Sequence, residues 1–343
     1  ASSQATTPLP RIGAHAAAIT VSGLSAGAYM AGQFQFAHAE RVRGAALIAG
    51  GPFGCAVSRL AAVMPALGAV WMNLSRAINT CMLHGMRAFG EPNADRLAAR
   101  ARRLSEQGAI GDLAHVASDR IYLFSGTQDS IVAPGIVAAA HDFYTALGVP
   151  EAHIAFVNTM AAGHGFVTRT FGNACETSRP PYLSDCDFDQ AGAILRHLLG
   201  RELLPAVTGA TQLGALLSFD QRPFTKKLPA GHGLGTKGYV FIPPTCRQPN
   251  SRCRVHIVFH GCQQGADDIG DQLARQSGLN RWAATNGLIV LYPQVASTRA
   301  NQMSCWDWWG YTGRGFLTRD ASQIRAVVAM VDRLAMPQEA TVH

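Results

Sequence analysis

One stretch decides the fold: Ile19-Thr20-Val21-Ser22-Gly23-Leu24-Ser25-Ala26-Gly27-Ala28-Tyr29-Met30. It begins with apolar and β-branched residues typical of a buried strand, continues with Gly-x-Ser-x-Gly, and ends in residues typical of a helix. The pattern predicts a sharp strand-to-helix turn that presents the Ser25 hydroxyl, with Gly23 and Gly27 allowing close approach of neighbouring chain. The helix start would place N–H groups and a positive dipole end beside Ser25, where they stabilise an anion. The alternative is a Gly/Ser-rich turn without chemistry, because such short motifs also occur by chance.

The composition indicates a folded globular protein of 343 residues, with 48% hydrophobic and 15% charged residues. The formal net charge is +7, but the basic residues are scattered, and the one dense group, 100–103, lies in a helix-like segment. We therefore expect no nucleic-acid partner. No apolar run is long enough to predict a membrane span. The first eight residues resemble a mature N-terminus left after signal removal, which predicts a secreted, extracellular or periplasmic protein.

The eight cysteines form no C-x-x-C pair and no Cys/His cluster with metal-site spacing, so no metal is expected. An even count in polar, loop-like surroundings predicts four disulfide bonds and an oxidising compartment. Close spacing favours Cys175–Cys186 and Cys246–Cys253, and Cys55–Cys81 and Cys262–Cys305 then follow by elimination. The alternative is a set of eight reduced, buried thiols.

Strand-like and helix-like segments alternate along the chain. The predicted strands are 17–22, 44–49, 120–125, 153–157, 213–219, 239–242, 254–259 and 288–292. The predicted helices are 26–40, 94–106, 134–147, 189–199, 272–285 and 320–334. This alternation predicts an α/β fold with a mostly parallel sheet and helices on both faces. We expect one catalytic domain over 1–343, in preference to a division near residue 205, and an irregular insertion over 53–90.

A serine nucleophile needs a histidine base and an acid that orients it. Asp129 follows the predicted strand 120–125 and His164 follows 153–157, so both lie at carboxyl ends of strands, where open α/β sheets hold their sites. His164 would take the Ser25 proton, and Asp129 would hold the ring and stabilise its cation. Either residue could instead be an ordinary turn or loop residue. The rival acids and histidines are Asp112, Asp119, His153 and His197.

An oxyanion hole needs two N–H donors, and the first would be the backbone N–H of Ala26. The second is expected from the His-Gly-rich loop after strand 254–259. There we expect the N–H of Cys262 to donate and His260 to shape the loop.

The order of these parts is unusual, because the His-Gly loop normally precedes the nucleophile. The chain begins with a strand that lacks its preceding helix and ends with a helix that lacks its following strand. Joining the ends would restore an unbroken series of right-handed crossovers. The sequence thus predicts a circularly permuted α/β-hydrolase. The alternative is a two-domain protein in which 260–262 is a plain strand-end turn.

A cluster of aromatic residues follows Cys305: Trp306, Trp308, Trp309 and Tyr311. Consecutive residues of extended chain point to opposite faces, so these rings cannot all be buried in one place. With the Cys262–Cys305 bond, the cluster would wall an apolar groove beside the oxyanion loop. For any single tryptophan, a place in the core is an equally good interpretation.

The motifs together resemble the extracellular poly(3-hydroxybutyrate) (PHB) depolymerases of the type whose oxyanion histidine follows the triad. The motifs are Gly23-Leu24-Ser25-Ala26-Gly27, Gly126-Thr127-Gln128-Asp129, Gly163-His164, His260-Gly261-Cys262 and Cys305-Trp306-Asp307-Trp308-Trp309-Gly310-Tyr311. The resemblance implies a permuted α/β-hydrolase that cleaves short-chain polyhydroxyalkanoate esters without a cofactor. It implies the triad and oxyanion residues named above, and a tryptophan of 306–309 that contacts the polymer.

The expected partner is therefore the polyester or its hydroxybutyrate oligomers, bound by a monomer without a separate polymer-binding domain. Two alternatives stay open. One is a feruloyl- or acetyl-type carbohydrate esterase, and the other is a non-catalytic polymer-binding protein on the same fold.

Overall fold

A computed structural model of the chain describes residues 6–82, 91–200, 202–208 and 214–338. The strands are β1 (His15–Leu24), β2 (Val42–Ile48), β3 (Arg120–Phe124), β4 (Ile154–Val157), β5 (Phe166–Thr168), β6 (Asn173–Ala174), β7 (Leu183–Asp185), β8 (Ala215–Asp220), β9 (Lys237–Ile242), β10 (Arg254–Phe259) and β11 (Leu288–Tyr292). The helices are α1 (Ala26–Ala37), α2 (Ala66–Cys81), α3 (Ala94–Glu106), α4 (Leu113–Ser118), α5 (Pro134–Ala146), α6 (Gln190–Leu199), α7 (Arg222–Thr225), α8 (Ala266–Ile269), α9 (Gln272–Gln276), α10 (Leu279–Asn286) and α11 (Ser322–Ala335). None of the helices in these ranges is long and apolar enough to cross a membrane.

The centre of the molecule is an eight-stranded sheet in the order β4-β3-β2-β1-β10-β11-β9-β8. The first six strands in this order, which end with β11, run parallel to one another. Strand β9 is antiparallel to both of its neighbours, β11 and β8. Apolar side chains are buried on both faces of this sheet, with α1, α5 and α11 on one side and α6 and α10 on the other. The expected α/β fold with a mostly parallel sheet is confirmed.

The strand order identifies the permutation. Read from β8 to β11 and then from β1 to β4, the eight strands lie in the order 1-2-4-3-5-6-7-8, which is that of an α/β-hydrolase. The N–H groups of Ile12 and Ala14 donate to the carbonyl of Leu334 at 3.2 and 3.0 Å, so the end of α11 lies against the start of β1. A short link there would restore the usual order, as the sequence predicted.

Strands from both halves of the described chain share this sheet, since β1–β4 precede residue 205 and β8–β11 follow it.

The structure also pairs all eight cysteines: Cys55–Cys81, Cys175–Cys186, Cys246–Cys253 and Cys262–Cys305. These are the four pairs expected from the sequence.

Two expectations about helices were wrong. The segment 53–90, expected to be irregular, contains the 16-residue helix α2. The last part of the segment, 83–90, lies outside the described residues. The apolar residues of α2 occur on its exposed face as well as its buried one, which obscures the helical period. The helix expected over 272–285 is divided into α9 and α10 at Gly278, whose φ of 86° no right-handed helix can accommodate.

A buried carboxyl lies at the amino end of the sheet. Asp119 precedes β3, and its Oδ2 accepts a hydrogen bond from Gln35 at 2.8 Å, while the Gln35 Oε1 accepts one from the Tyr144 hydroxyl at 2.7 Å. The Asp119 Oδ1 is buried and has no partner among the described residues. Burial raises the pKa of Asp119 to about 7, because desolvation disfavours the charged form.

We expect Asp119 to make the stability of the protein depend on pH. Its favourable contribution is fully present below the unfolded pKa of about 4 and is lost as pH rises towards 7, because only the unfolded state releases the proton freely. Asp119→Asn keeps the bond from Gln35 and removes the titration. Urea unfolding at pH 4.5, 6 and 8, with the disulfides intact, should show the wild type losing a few kcal/mol relative to the variant. Parallel pH profiles for the two proteins would contradict this assignment.

Candidate active site

Ser25 occupies the turn between β1 and α1. Its φ of 57° and ψ of −119° are unusual for a residue with a side chain. Its N–H donates to the carbonyl of Ile48 at 2.9 Å, and its carbonyl accepts from the N–H groups of Ala28 and Tyr29 at 2.9 and 3.1 Å. These bonds hold the strained backbone, and the residue as a whole is 7% exposed.

The two motif glycines are required by close backbone approach. A Cβ on Gly23 would lie 2.1 Å from the carbonyl oxygen of Gly27, and a Cβ on Gly27 would lie 2.1 Å from the carbonyl oxygen of Phe259. The first contact is inside the turn itself. The second brings the start of α1 against the end of β10, which leads into the His-Gly loop.

Asp129 and His164 form a buried hydrogen-bonded pair. The His164 Nδ1 lies 2.8 Å from Oδ2 of Asp129, and the other carboxylate oxygen accepts from the N–H groups of Ile131 and Val132, both at 2.8 Å. Because the carboxylate can only accept, Nδ1 carries the proton and Nε2 keeps its lone pair. Asp129 therefore fixes the tautomer that a general base for a serine requires.

The two loops that carry this pair pack directly on each other. The N–H groups of Thr127 and Gln128 donate to the carbonyls of Met160 and Ala162 at 2.8 and 3.0 Å. The N–H of His164 donates to the Ser178 hydroxyl at 2.8 Å. Ser25, Asp129 and His164 follow β1, β3 and β4, so all three lie at the carboxyl edge of the sheet.

The rival residues lie elsewhere. Asp112 caps α4 by accepting from the N–H of Ala114, and Asp119 precedes β3 at the opposite edge of the sheet. His153 precedes β4, and its carbonyl accepts a bond from His197 of α6. None of them is at the edge that carries Ser25.

The loop after β10 is held by buried polar contacts. The carbonyl of Gly261, 2.7 Å from His260 Nδ1, can only accept, and the N–H of Val295, 3.2 Å from Nε2, can only donate. The ring is thus neutral and protonated at Nδ1, and burial lowers the pKa of His260 to about 4. Gln264 accepts from the N–H of Gly261 at 2.8 Å and donates to the carbonyl of Tyr182 at 3.0 Å.

This arrangement leaves two backbone donors beside the serine turn. Among the described residues, the N–H groups of Ala26 and Cys262 have no hydrogen-bond acceptor. Tyr182 packs edge-on to the ring of His164 and donates its hydroxyl to Gln263 at 3.3 Å, which connects the histidine loop with the loop of Cys262. Such free donors are what a developing oxyanion needs.

The aromatic rings after Cys305 are mostly buried. Trp306 has no exposed surface and packs on Phe259 and His260, with ring centroids 5.0 and 5.7 Å apart. Trp308 stacks on Tyr29 at 4.1 Å. Trp306 therefore offers no surface to a ligand and packs against the end of β10 and the loop that follows it instead.

The rings of Trp309 and Tyr311 pack on each other, with their centroids 5.0 Å apart. The Tyr311 hydroxyl donates to the carbonyl of Cys305 and accepts from Asn301 and Gln323. A groove walled by Trp308, Trp309 and Tyr311 stays a prediction, and Trp306, which has no exposed surface, cannot be part of its wall.

Sequence reasoning missed two polar residues that shape the site. The buried carboxylate of Asp307 accepts from the backbone N–H groups of residues 309–312 and from the Thr312 hydroxyl, which folds the aromatic loop around one side chain. His256 lies within 2.9 Å of the hydroxyls of Thr20 and Ser22, and so connects β10 with the strand that leads to Ser25. The available signal for both roles was a polar residue in apolar surroundings: Asp307 lies among the tryptophans, and His256 lies within the strand 254–259.

Comparisons with known proteins show which family the chain resembles. Residues 238–340 match the family model described as Esterase PHB depolymerase. A poly(3-hydroxybutyrate) depolymerase of Delftia acidovorans is 38% identical over 319 residues, covering 92% of this chain and 59% of that protein. The resemblance to PHB depolymerases is confirmed. The chain thus spans about three fifths of the length of the Delftia PHB depolymerase.

Other PHB depolymerases match over nearly their full length. One from Talaromyces funiculosus is 29% identical over 347 residues, covering 96% of this chain and 93% of that protein. The crystal structure of the PHB depolymerase from Penicillium funiculosum superposes with a TM-score of 0.81 at 29% identity, covering 96% of this chain and 99% of that one. A serine-to-alanine variant of a PHB depolymerase, complexed with an R3HB trimer, superposes with the same score, identity and coverage.

A substitution at Gly27 should damage the turn, whereas one at Gly32 should not. Gly27→Ala places a methyl group against backbone of β10, which cannot move aside. Gly32→Ala, a matched change in the same helix, meets only the Leu47 side chain at 3.8 Å and should add about 0.5–1 kcal/mol of stability. Urea unfolding of both variants checks this, and equal free energies of unfolding would contradict the close-approach argument.

Proposed function

We propose that this protein is a secreted, monomeric serine esterase that hydrolyses the ester bonds of poly(3-hydroxybutyrate), related short-chain polyhydroxyalkanoates or their oligomers. The observation that carries the proposal is the Asp129–His164 pair at the edge of the sheet that bears Ser25. The relatives named as PHB depolymerases support the substrate class. The four disulfide bonds support an oxidising compartment.

In the acylation step, Ser25 Oγ attacks the ester carbonyl while its proton passes to Nε2 of His164. The carbonyl oxygen becomes an anion that the N–H groups of Ala26 and Cys262 stabilise, and Asp129 stabilises the imidazolium. Collapse of the intermediate breaks the ester bond, and His164 returns its proton to the leaving alkoxide. The products are an acyl-Ser25 ester and a chain with a free hydroxyl.

In the deacylation step, water takes the place of the alcohol. His164 removes a proton from the water, whose oxygen attacks the acyl carbonyl, and the same two N–H groups stabilise the second oxyanion. Collapse returns the proton to Ser25 Oγ and releases a carboxylic acid. The cycle needs residues of this chain and water only.

An exposed apolar face of α2 supports a polymeric substrate. Leu67 and Trp71, one helical turn apart, are 72% and 61% exposed. The C-terminal end of α2 approaches the site, since the carbonyl of Cys81 accepts from the Tyr29 hydroxyl at 2.7 Å and that of Met82 from the N–H of Ala133 at 2.8 Å. We propose that this face rests on the apolar polymer surface and brings the site to it.

The first experiment is product analysis with Ser25→Ala and Asp129→Asn on amorphous poly(3-hydroxybutyrate), a soluble hydroxybutyrate dimer and a feruloylated sugar. We expect the wild type to release 3-hydroxybutyrate units from the polymer. Ser25→Ala should abolish this release but keep polymer adsorption, and Asp129→Asn should reduce turnover by about 10⁴-fold because the wrong His164 tautomer is favoured. Unchanged turnover in Ser25→Ala would exclude this site, and hydrolysis of the feruloyl ester alone would exclude the substrate.

The α2 face should affect polymer hydrolysis selectively. Leu67→Ser and Trp71→Ser should weaken polymer adsorption and the rate on the polymer several-fold, because they remove apolar contact area, while the rate on the soluble dimer stays the same. Leu204→Ser is the matched control, because Leu204 is 62% exposed outside α2. An equal loss in all three variants, or a loss on the dimer, would contradict the role of α2.

A further inference from the structure

A cavity of about 190 Å³ lies between α2, α3 and the chain that precedes α2. It is separate from the triad and from the oxyanion loop. Its lining residues are Val57, Ser58, Arg59, Leu60, Arg76, Asn93, Arg96, Leu97 and Arg100. Four of these nine residues are arginines, and none is acidic.

Two of the arginines are fixed by backbone carbonyls. Arg76 Nε donates to the carbonyl of Cys55 at 2.8 Å, and Arg100 Nη1 donates to those of Gly54 and Val57 at 3.2 and 3.3 Å. Within the described ranges, neither guanidinium forms an ion pair with a carboxylate. Each thus keeps N–H groups that can bind a ligand in the cavity.

The other two arginines, Arg59 and Arg96, are exposed at the cavity, and their side chains have no hydrogen bond or ion pair among the described residues. Burial lowers the pKa of Arg76 and of Arg100, and the neighbouring arginine charges lower both further. The four guanidinium groups therefore repel one another without a compensating carboxylate in the lining, an arrangement that a bound anion would stabilise.

The start of α3 adds to the positive potential. Asn93 caps this 13-residue helix by accepting from the N–H of Arg96 at 2.8 Å, so the helix begins at the cavity. The positive end of its dipole lies beside the guanidinium groups. Asp95, the acidic residue of the first turn, is exposed and does not line the cavity.

We propose that the cavity formed by Arg59, Arg76, Arg96 and Arg100 binds a phosphate-type oxyanion. Guanidinium groups bind phosphate oxygens through paired N–H donors. Phosphate carries more than one negative charge at pH 7, which matches four cations better than a monocarboxylate does. A bound phosphate would join α2 to α3, and α2 is the helix that reaches Tyr29 and the loop after Asp129.

The test is calorimetric titration of the full chain with inorganic phosphate, together with the unfolding temperature in phosphate and in chloride at equal ionic strength. Arg59→Gln and Arg96→Gln are the test variants, because both side chains are exposed and should tolerate substitution. Arg102→Gln is the control, since it removes the same charge from α3 outside the lining residues. We expect each test variant to weaken phosphate binding about tenfold, as for the loss of one charged hydrogen bond, and the control to bind as the wild type does.

Three results would overturn the proposal. The first is equal stabilisation by phosphate and chloride, which would indicate ionic strength alone. The second is equal weakening in Arg96→Gln and Arg102→Gln, which would indicate general charge. The third is 3-hydroxybutyrate binding as tightly as phosphate, which would make the cavity a monocarboxylate site.

Discussion

The structure depends on one close approach, that of Gly27 to the carbonyl end of β10. With no side chain at residue 27, the start of α1 lies against Phe259, and the two backbone segments that carry Ala26 and Cys262 become neighbours. The contact between β1 and β10 is strengthened by His256, whose ring hydrogen-bonds with the hydroxyls of Thr20 and Ser22. The turn at Ser25 and the loop after β10 can be far apart in sequence because the pairing of β1 with β10, and not chain connection, brings them together.

The loops that follow the strands are held in place by single buried polar side chains, each of which hydrogen-bonds with several backbone groups. Gln264 joins the loop after β10 to the chain at Tyr182, beside His164, and Asp307 folds the aromatic loop around its carboxylate. The Cys262–Cys305 bond then connects these two loops covalently. Buried hydrogen bonds and a disulfide bond therefore hold together the loops at the carboxyl ends of the strands.

The parts that sequence reasoning predicted share a local signal. In each case an apolar strand is followed by a glycine-containing loop that carries a polar residue, so both position and chemistry could be inferred. These loops are the serine turn, the loops after β3 and β4, and the His-Gly loop. The permutation followed from the alternation of elements and from the lone terminal helix, whereas the order of the strands in the sheet came from the structure. Disulfide pairing followed from spacing, because two pairs are only 7 and 11 residues apart.

The parts that it missed depend on tertiary contacts. Helix α2 places leucine and tryptophan on its solvent side, so its period does not identify a buried face. The break at Gly278 requires a backbone angle that no local pattern reveals. The burial of the tryptophans follows from Phe259, His260 and Tyr29, which are distant in sequence.

The permutation has a consequence for the order in which the molecule can be completed. Strand β1 lies between β2 and β10, yet β2 begins 18 residues after the end of β1 and β10 begins 230 residues after it. A growing chain that has reached β4 can pair four strands, but β1 then forms an open sheet edge with unpaired backbone groups, a surface prone to misassociation. The proposed nucleophile, Ser25, is thus among the first parts synthesised, while the proposed oxyanion donor, Cys262, is among the last. Under the proposed mechanism, a partial chain that carries Ser25, Asp129 and His164 would still lack the donor at Cys262.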